Sequence, residues 1–514
     1  MSSHKLLLVC AALVLSGACS GDESVTGAPG KAGALNVSQG GPQDIAHFRA
    51  LVDAGEVPAP DTLDPVGFFA EHAVDLPPAD CGHDVCVHPM LSVMPRFNGG
   101  NWTMAFVAMN TPLDPATLPR PPLHLVLVVE RPRETWQHLS TLADGLAAVV
   151  EQMQPDDRLT LVSFDRRAHT TALGVAPDAQ MVRNWIQQFY PSETLSGLYD
   201  GLAAADRAAQ EVAADFDGVH RVLLVTSGHA TSGVSDPERI EHLAEGMVRR
   251  GVAINVVGFG TEYDARLPSA IGSLGAGSYA YAVDEQDLVE VLGLMGETTL
   301  FPLATDFRLQ LQPAPGYRIG RIYGARRAWA SPAFAVLDLP AVFIGRREGA
   351  MDIDGGRRGG GGGLFVELIA DPNAGIGVNQ PAFQVTASWR EVGGDIAYSE
   401  DVVNALAPGE NPTTALPFFS QADYGKPFMM LNMYLALRAT TELYEGGDCA
   451  RSMGVIDMMA PSVQGWNAYF TDPDIDADND LLLRLGQNVA SHCTARGPVK
   501  PISPVDSDLG CALF

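Results

Sequence analysis

Basic residues are scarce in this chain of 514 residues, which has 33 lysines and arginines against 61 aspartates and glutamates. The formal net charge of −28 repels phosphate backbones, so the composition argues against a nucleic-acid partner. The Gly-x-Ser-x-Gly elbow, the His-Glu-x-x-His pair and the phosphate-binding loop are also missing. Ser163, Asp165 and His169 occur near one strand end, but a triad needs a convergence that the sequence does not show. We therefore expect no enzymatic activity.

Long apolar runs are missing as well, and none outside the N-terminus approaches the roughly 18 residues that a spanning helix needs. The short apolar core LLLVCAALVLSGAC (6–19) follows Lys5 and is typical of an export signal. Its end, SGAC, resembles a bacterial lipobox, which implies lipidation of Cys19 and anchoring in the cell envelope. The alternative is ordinary cleavage after Ala18 and free secretion. The low-complexity stretch 20–43 predicts a flexible tether.

Cysteine is rare, with seven in the chain, and its positions suit an oxidising compartment. We expect disulfides between Cys81 and Cys86 and between Cys449 and Cys493, with Cys511 left free. The stretch CGHDVCVH (81–88) also offers two histidines and two cysteines to zinc, although this spacing matches no common zinc pattern.

The region 123–296 is rich in a different pattern, in which short apolar runs alternate with amphipathic helical stretches. LHLVLVV (123–129), RLTLVSF (158–164) and RVLLVTSG (221–228) are the clearest strands. Such alternation predicts a doubly wound, Rossmann-like α/β domain with a parallel sheet covered on both faces. Ligands of these domains bind where the parallel strands end. In this chain that edge is formed by residues 130–134, 192–196 and 226–229, which we call the top face.

This order of elements resembles a von Willebrand factor A (VWA) domain, whose metal-ion-dependent adhesion site reads Asp-x-Ser-x-Ser after the first strand. The family adds a threonine from a second loop and an aspartate after a later strand, which together suit the oxygen coordination of Mg²⁺. The chain departs from that pattern, because only the threonine is unchanged. Glu130 stands at the first aspartate, Pro132 and Glu134 replace the two serines, Thr194 matches the threonine, and Ser227 replaces the second aspartate.

The resemblance therefore implies a degenerate site that binds no metal, and we expect no cofactor. In the alternative, Glu130, Glu134, Thr194, Ser227 and His229 form a rearranged site for Mg²⁺ or Ca²⁺. Without a metal, a protein partner would be recognised by side chains of the top face. The candidates for that ligand face are His229, Trp136 and Tyr190.

Segments on both sides of the VWA-like region, 45–72 and 300–326, resemble those of a bacterial group of VWA lipoproteins with a C-terminal domain of unknown function. Alternating apolar residues predict strands upstream, around the hairpin signal NGGN (98–101), and downstream through 305–391. We expect these strands to form a β-sandwich. The VWA domain is either inserted in this sandwich or flanked by it. The glycine-rich stretch 354–363 is interpreted as a hairpin loop, not a phosphate-binding loop.

Helical patterns return at 426–447 and 481–493, and the acidic stretch DPDIDADND (472–480) before the second is interpreted as a capping turn, not a calcium loop. The sequence thus predicts a non-catalytic, exported protein, lipid-anchored in the cell envelope or secreted, that binds a protein partner. The predicted divisions are a signal peptide (1–18), a tether (19–44), N-terminal helices and hairpin (45–120), the VWA domain (121–298), a β-rich domain (299–405), a helical region (406–500) and a tail (501–514).

Overall fold

A computed structural model describes most of the chain between the leader and the tail. The described residues are 35–40, 43–72, 74–114, 121–131, 139–189, 195–260, 263–275, 277–299, 302–325, 328–345, 361–376, 380–391, 394–405, 425–468 and 470–493. The predicted signal peptide, Cys19, Cys511 and most of 354–363 lie outside these ranges. Among the described residues, no helix has the length and apolar character needed to cross a bilayer.

The strands and helices are numbered along the chain. The strands are β1 (Leu35–Ser38), β2 (Cys86–Pro95), β3 (Asn101–Thr111), β4 (Leu123–Glu130), β5 (Arg158–Phe164), β6 (Ala168–Val175), β7 (Val219–Thr226), β8 (Val252–Phe259), β9 (Tyr279–Ala282), β10 (Ala304–Pro313), β11 (Tyr317–Tyr323), β12 (Ala328–Ser331), β13 (Phe334–Gly345), β14 (Gly363–Ala370), β15 (Gln380–Arg390) and β16 (Ile396–Ala405). The α-helices are α1 (Ala46–Asp53), α2 (Pro65–Ala70), α3 (Leu139–Glu151), α4 (Ala179–Gln187), α5 (Leu198–Val212), α6 (Pro237–Arg249), α7 (Arg266–Gly272), α8 (Glu285–Thr299), α9 (Gly425–Glu445), α10 (Cys449–Asn467) and α11 (Pro473–His492).

The central domain is built on a sheet with the order β6-β5-β4-β7-β8-β9. Every residue of β4 is buried, because α3, α4 and α8 cover one face of the sheet while α5, α6 and α7 cover the other. The predicted doubly wound α/β class is confirmed. One edge differs from the prediction, since β6 runs antiparallel to β5. β6 is half-exposed and lacks the continuous apolar run that marks the buried strands.

The upstream and downstream strands join in one antiparallel sheet system, so the predicted insertion is confirmed. β3 pairs with β14, with Phe106 opposite Phe365, and β1 lies between β3 and β13. The chain leaves this sheet after β3, forms the central domain and returns at β10. The two halves of the sheet face each other as a sandwich, with Val107 of β3 and Leu309 of β10 in the same core.

The predicted tether of residues 19–44 is wrong for its last part. Residues 35–38 form β1, in which Asn36 lies opposite Gly345 of β13 and Asn110 of β3. The segment is only four residues long and lies in a stretch of low sequence complexity. Its strand conformation therefore comes from pairing with β3 and β13 and not from a local sequence pattern.

The C-terminal helices α9–α11 pack with α1 and α2 on the outer face of β3 and β14, where Met104, Phe106 and Phe428 share a core. Helix α10 was not predicted. The acidic stretch 472–480 is not a turn, because α11 begins at Pro473 and contains most of it. Asp472 caps this helix by accepting hydrogen bonds from the backbone nitrogens of residues 474 and 475 at 3.0 and 3.2 Å.

Buried charges connect α1 and α2 with α11. Nε2 of His72 lies 2.6 Å from Oδ2 of Asp478, and its Nδ1 lies 2.8 Å from the carbonyl oxygen of Phe68. The guanidinium of Arg49 pairs with the carboxylate of Glu71 in the same layer. His72, Glu71 and Asp478 have no exposed side-chain surface, so these pairs fix the N-terminal helices against the C-terminal region.

The two predicted disulfides are confirmed. Cys81 bonds to Cys86 at the start of β2, and Cys449 at the start of α10 bonds to Cys493 at the end of α11. With both sulfurs of 81–86 oxidised, no thiolate remains there for zinc, and the nearby His83 contacts the carboxylate of Glu391 at 3.3 Å. The zinc alternative for this segment is therefore wrong.

Candidate functional site

Glu130 ends β4 at the top face, and only 3% of it is exposed. Its Oε2 accepts hydrogen bonds from Oγ1 of Thr226 at 2.8 Å, from the backbone nitrogen of Ser227 at 2.6 Å and from Oγ of Ser227 at 2.9 Å. All three donors belong to the end of β7, the strand next to β4. Hydrogen bonds to a charged acceptor are stronger than neutral ones. Glu130 thus fastens the end of β7 to the end of β4.

The loop after β7 is held from its other side by residue 264. The backbone nitrogen of Asp264 donates to the carbonyl oxygen of Ser227 at 3.1 Å. Gly228 has a φ of +83°, and a Cβ there would lie 2.0 Å from the carbonyl oxygen of Asp264. Only glycine fits this close approach, so the backbone of 227–228 is fixed between β4 and the loop that precedes α7.

The loop before α5 brings a third segment to the top face. The carbonyl oxygen of Ser196 accepts from the backbone nitrogens of Thr231 and Ser232, both at 2.9 Å. The backbone nitrogen of Ser196 in turn donates to Oγ1 of Thr231 at 2.8 Å. Oγ of Ser196 is buried and has no hydrogen-bond partner within the described part of the chain. Three loops, after β4, before α5 and after β7, therefore meet here.

Charged side chains surround this centre. Nη1 of Arg131 lies 3.4 Å from Oδ2 of Asp165. The other carboxylate oxygen of Asp165, Oδ1, accepts a hydrogen bond from the backbone nitrogen of Arg167 at 3.1 Å. On the other side, Nη2 of Arg266 lies 2.7 Å from Oδ2 of Asp264. These hydrogen bonds from Arg266 hold the pKa of the Asp264 carboxyl below its usual value, against the opposing effect of burial. His229, which is half-buried, lowers that pKa further.

The described residues offer little to a metal ion. The one buried carboxylate at the centre, Glu130, already accepts three hydrogen bonds from protein donors at a single oxygen. Mg²⁺ requires several oxygen ligands in near-octahedral geometry. Among the residues that the structure describes, no three histidine, cysteine or acidic side chains come together as a possible metal site. Thr226 and Ser227 thus supply protein donors to Oε2 of Glu130.

The arrangement of the central sheet and of the regions around it is shared with a solved structure. A von Willebrand factor type A protein from Catenulispora acidiphila superposes with a TM-score of 0.52 at 13% identity, covering 81% of this chain and 98% of that one. The central domain has the von Willebrand factor A fold. At this level of identity the similarity concerns the fold alone. The large coverage shows that it includes the β-sandwich around the VWA domain.

Two curated proteins are similar in sequence over part of the chain. An uncharacterized protein of Escherichia coli named YfbK is 24% identical over 186 residues, which are 35% of this chain and 32% of YfbK. The uncharacterized protein sll0103 of Synechocystis is 25% identical over 202 residues, or 38% of this chain and 46% of the relative. The chain therefore aligns with a third to a half of these relatives. No protein-family profile matches it.

The structure brings together two of the predicted site residues of the VWA domain, Glu130 and Ser227, and His229 follows at the same edge. Glu134, Thr194, Trp136 and Tyr190 lie outside the described residues. Thr226 and Ser196 lie within the predicted top-face segments, but sequence reasoning gave neither of them a role. A role for Thr226 could have been predicted, because it ends a buried apolar strand at the top face.

The catalytic triad that the sequence did not support is not formed. Ser163 and His169 are cross-strand neighbours on β5 and β6, while Asp165 binds Arg131 and the backbone of Arg167. No side-chain hydrogen bond joins Ser163, Asp165 and His169 to one another in the described part of the chain. These residues hold the β5–β6 turn.

Proposed function

We propose that this protein is a non-catalytic binding or scaffold module whose VWA domain holds another protein at its top face without a metal ion. The observation that carries the proposal is the environment of Glu130. Where the family places a metal-binding aspartate, this chain has a buried carboxylate whose hydrogen bonds are satisfied by Thr226 and Ser227. The carboxylate of Glu130 thus accepts hydrogen bonds within the protein and joins the end of β4 to the end of β7.

A rigid top face suits binding to a preformed surface, because little order has to be gained on association. Three features restrict the backbone of these loops. They are the glycine at position 228, the hydrogen bond from the backbone nitrogen of Asp264 to Ser227, and the hydrogen bonds between Ser196 and Thr231. Contact with the partner would then depend on shape and on fixed side chains. We propose His229, which lies half-buried at this edge, as one contact, and Trp136 and Tyr190 as further contacts.

The decisive experiment is thermal unfolding of the purified protein after chelation, with and without millimolar Mg²⁺, Mn²⁺ or Ca²⁺. We expect no shift of the transition with any ion. A ligand present at a hundred times its dissociation constant would stabilise the fold by roughly 2.7 kcal/mol, which is readily detected. An upward shift that Glu130→Gln removes would contradict the metal-free proposal.

A second candidate function is metal-dependent ligand binding through a rearranged site for Mg²⁺ or Ca²⁺. The observation in its favour is Oγ of Ser196, which is buried at the same centre without a partner among the described residues. The ligands in this case would be Glu130, Glu134, Thr194 and Ser227. Thr194→Ala should then abolish the metal-induced shift, whereas it should change little in a metal-free module.

We also propose that the protein is exported and anchored in the cell envelope through a lipid on Cys19. The two disulfides support folding in an oxidising compartment. Metabolic labelling with a palmitate analogue should tag the wild-type protein and not Cys19→Ala. If both remain unlabelled and the protein is found in the medium, the secreted alternative holds.

A further inference from the structure

A surface groove of about 760 Å³ lies between α5 and α6 of the VWA domain. This volume is in the range of ligand-binding pockets. Tyr199 and Leu243 form its apolar part, and both are only partly covered by the core beneath. Gly246 keeps the groove open on the α6 side, because any side chain at this position would project towards the guanidinium of Arg250. We call this cavity the α5–α6 groove.

Helix α6 carries charges of both signs near the groove. Arg239, His242 and Arg249 line the groove at spacings of three and seven residues, which places them along one side of the helix. Glu241 and Glu245 lie beside this row: Oε2 of Glu245 is 3.8 Å from Nδ1 of His242, and burial together with repulsion from Glu245 and Glu238 raises the pKa of Glu241. Of the charges that line the groove, Arg250 is paired with Asp206, which leaves Arg239 and Arg249 against Glu238 and gives the groove a small excess of positive charge in a chain with a net charge of −28.

Two of the groove arginines have no carboxylate partner. Arg250 reaches across to Asp206 of α5, with Nη2 and Oδ1 2.7 Å apart, so this pair is neutralised. Arg239 and Arg249 are exposed and form no ion pair with any residue that the structure describes. One acid, Glu238, also lines the groove at the end near the top face. An anionic group would thus find free guanidinium donors at two points.

We propose that the α5–α6 groove binds an acidic segment of a protein partner, whose carboxylates pair with Arg239 and Arg249 while an apolar side chain lies on Tyr199 and Leu243. The ten residues between the two arginines correspond to about 15 Å along α6. A small anion such as phosphate contacts one of them at a time, whereas a peptide with two acids at this separation contacts both. At physiological ionic strength, distant negative charges of the protein are screened within about 8 Å, so the charges in the groove itself, Arg239 and Arg249 against Glu238, decide the interaction.

The groove begins beside the top face, because α5 and α6 both start there, and continues down the side of the domain. The inference goes beyond the proposed function, since none of the groove residues named above contacts Glu130. A metal-induced shift in thermal unfolding would contradict the metal-free top face but not the proposal for the α5–α6 groove. Conversely, a groove that binds no peptide would not contradict the proposal of a metal-free top face.

The test uses fluorescence anisotropy with a labelled ten-residue peptide that carries two glutamates five positions apart, about 16 Å in an extended chain, with leucines between them, and a matched peptide with lysines in place of the glutamates. The intact protein should bind the glutamate peptide in preference, and rising salt should weaken that binding. In Arg239→Glu/Arg249→Glu the affinity should fall at least about tenfold. Arg207→Glu/Arg318→Glu changes the net charge equally at exposed positions outside the groove, and its affinity should stay within about twofold of the wild type.

A variant without a change of charge distinguishes binding of the peptide in the groove from electrostatic attraction of the peptide to the arginines at its edge. Gly246→Leu places an apolar side chain in the groove and should weaken peptide binding without changing the salt dependence of what remains. Circular dichroism of all variants checks that they are folded. Equal binding of the glutamate and lysine peptides, retained affinity in the Arg239/Arg249 variant, an unaffected Gly246→Leu protein, or full displacement of the peptide by millimolar phosphate would each overturn the proposal.

Discussion

Replacing Glu130 by alanine should be among the most destabilising single changes in the VWA domain. The substitution removes the acceptor of three hydrogen bonds from Thr226 and Ser227, both of which are almost fully buried. A hydrogen bond to a charged group contributes about 1.5–3 kcal/mol, and a buried donor left without an acceptor costs about 1–3 kcal/mol. The two hydroxyl groups can rotate to other acceptors, but the backbone nitrogen of Ser227 cannot. We therefore expect a loss of roughly 3–5 kcal/mol in the free energy of unfolding.

Two further variants divide this loss into its parts. Glu130→Gln keeps an oxygen acceptor but not the charge, and should cost about 1–2 kcal/mol. Combining Glu130→Ala with Ser227→Ala gives a double-mutant cycle, in which we expect a coupling energy between about 0.5 and 3 kcal/mol because the residues are in direct contact. Glu211→Ala removes one negative charge from an exposed position on α5 and serves as the control. It should change stability by no more than about 0.5 kcal/mol.

The measurement is urea unfolding followed by circular dichroism, with stability calculated from the midpoint and slope. Additive effects of the Glu130 and Ser227 substitutions, or a cost of Glu130→Ala no larger than that of the Glu211 control, would refute the reasoning. Either result would mean that the carboxylate does not join β4 to β7, and the metal-free proposal would lose its main support.

Three further predictions concern the rest of the fold. Burial, with a smaller contribution from His220, lowers the pKa of His124 from 6.5 to about 3. His124 is therefore protonated near pH 6.5 in the unfolded state and only near pH 3 in the folded state. The stability that depends on neutral His124 is complete above pH 6.5. Below pH 6.5 the free energy of unfolding falls by up to about 1.4 kcal/mol per pH unit. Urea midpoints between pH 7 and 4 should fall less steeply in His124→Gln, and parallel slopes would contradict this. The Cys449–Cys493 disulfide closes a loop of 44 residues, so Cys449→Ser/Cys493→Ser should lose about 4 kcal/mol. An unchanged urea midpoint under non-reducing conditions would show that this loop contributes nothing. Asp478→Asn removes the carboxylate that contacts the fully buried imidazole of His72 and should cost about 1.5–3 kcal/mol by the same assay. A loss below 1 kcal/mol would mean that this pair does not hold α2 to α11.

Much of the architecture could be predicted from local patterns in the sequence. Residues 125–129 of β4 predict a strand because both faces of the sheet are covered, which favours a continuous run of apolar side chains. The NGGN hairpin and the alternating strands predicted the sandwich for a similar reason, since turn chemistry and the period of two are local properties. Elements without such a signature were missed. β6 is a half-exposed edge strand, and β1 is a four-residue strand that depends on β3 and β13.

The candidate site was predicted only in part. Glu130 and Ser227 could be placed at the top face because both end apolar strands. Their hydrogen bonds could not be predicted, since a glutamate at this position can bind a metal, face solvent or bond to the neighbouring strand, and the sequence is the same in each case. The α5–α6 groove escaped sequence reasoning entirely. The charge pattern of α6 is visible in the sequence, but the space in front of it depends on how closely α5 packs.

The sequence by itself determined the class of the domain and indicated the pairing of the cysteines. These follow from residue identity and from periods of two or 3.6 residues, which are local. Only the tertiary structure decided which donors surround Glu130, that β1 closes the sandwich, and that the acidic stretch 472–480 is a helix which binds His72 across 406 residues of chain. Contacts of this kind depend on the exact distance between elements, and that distance is a property of the packed molecule.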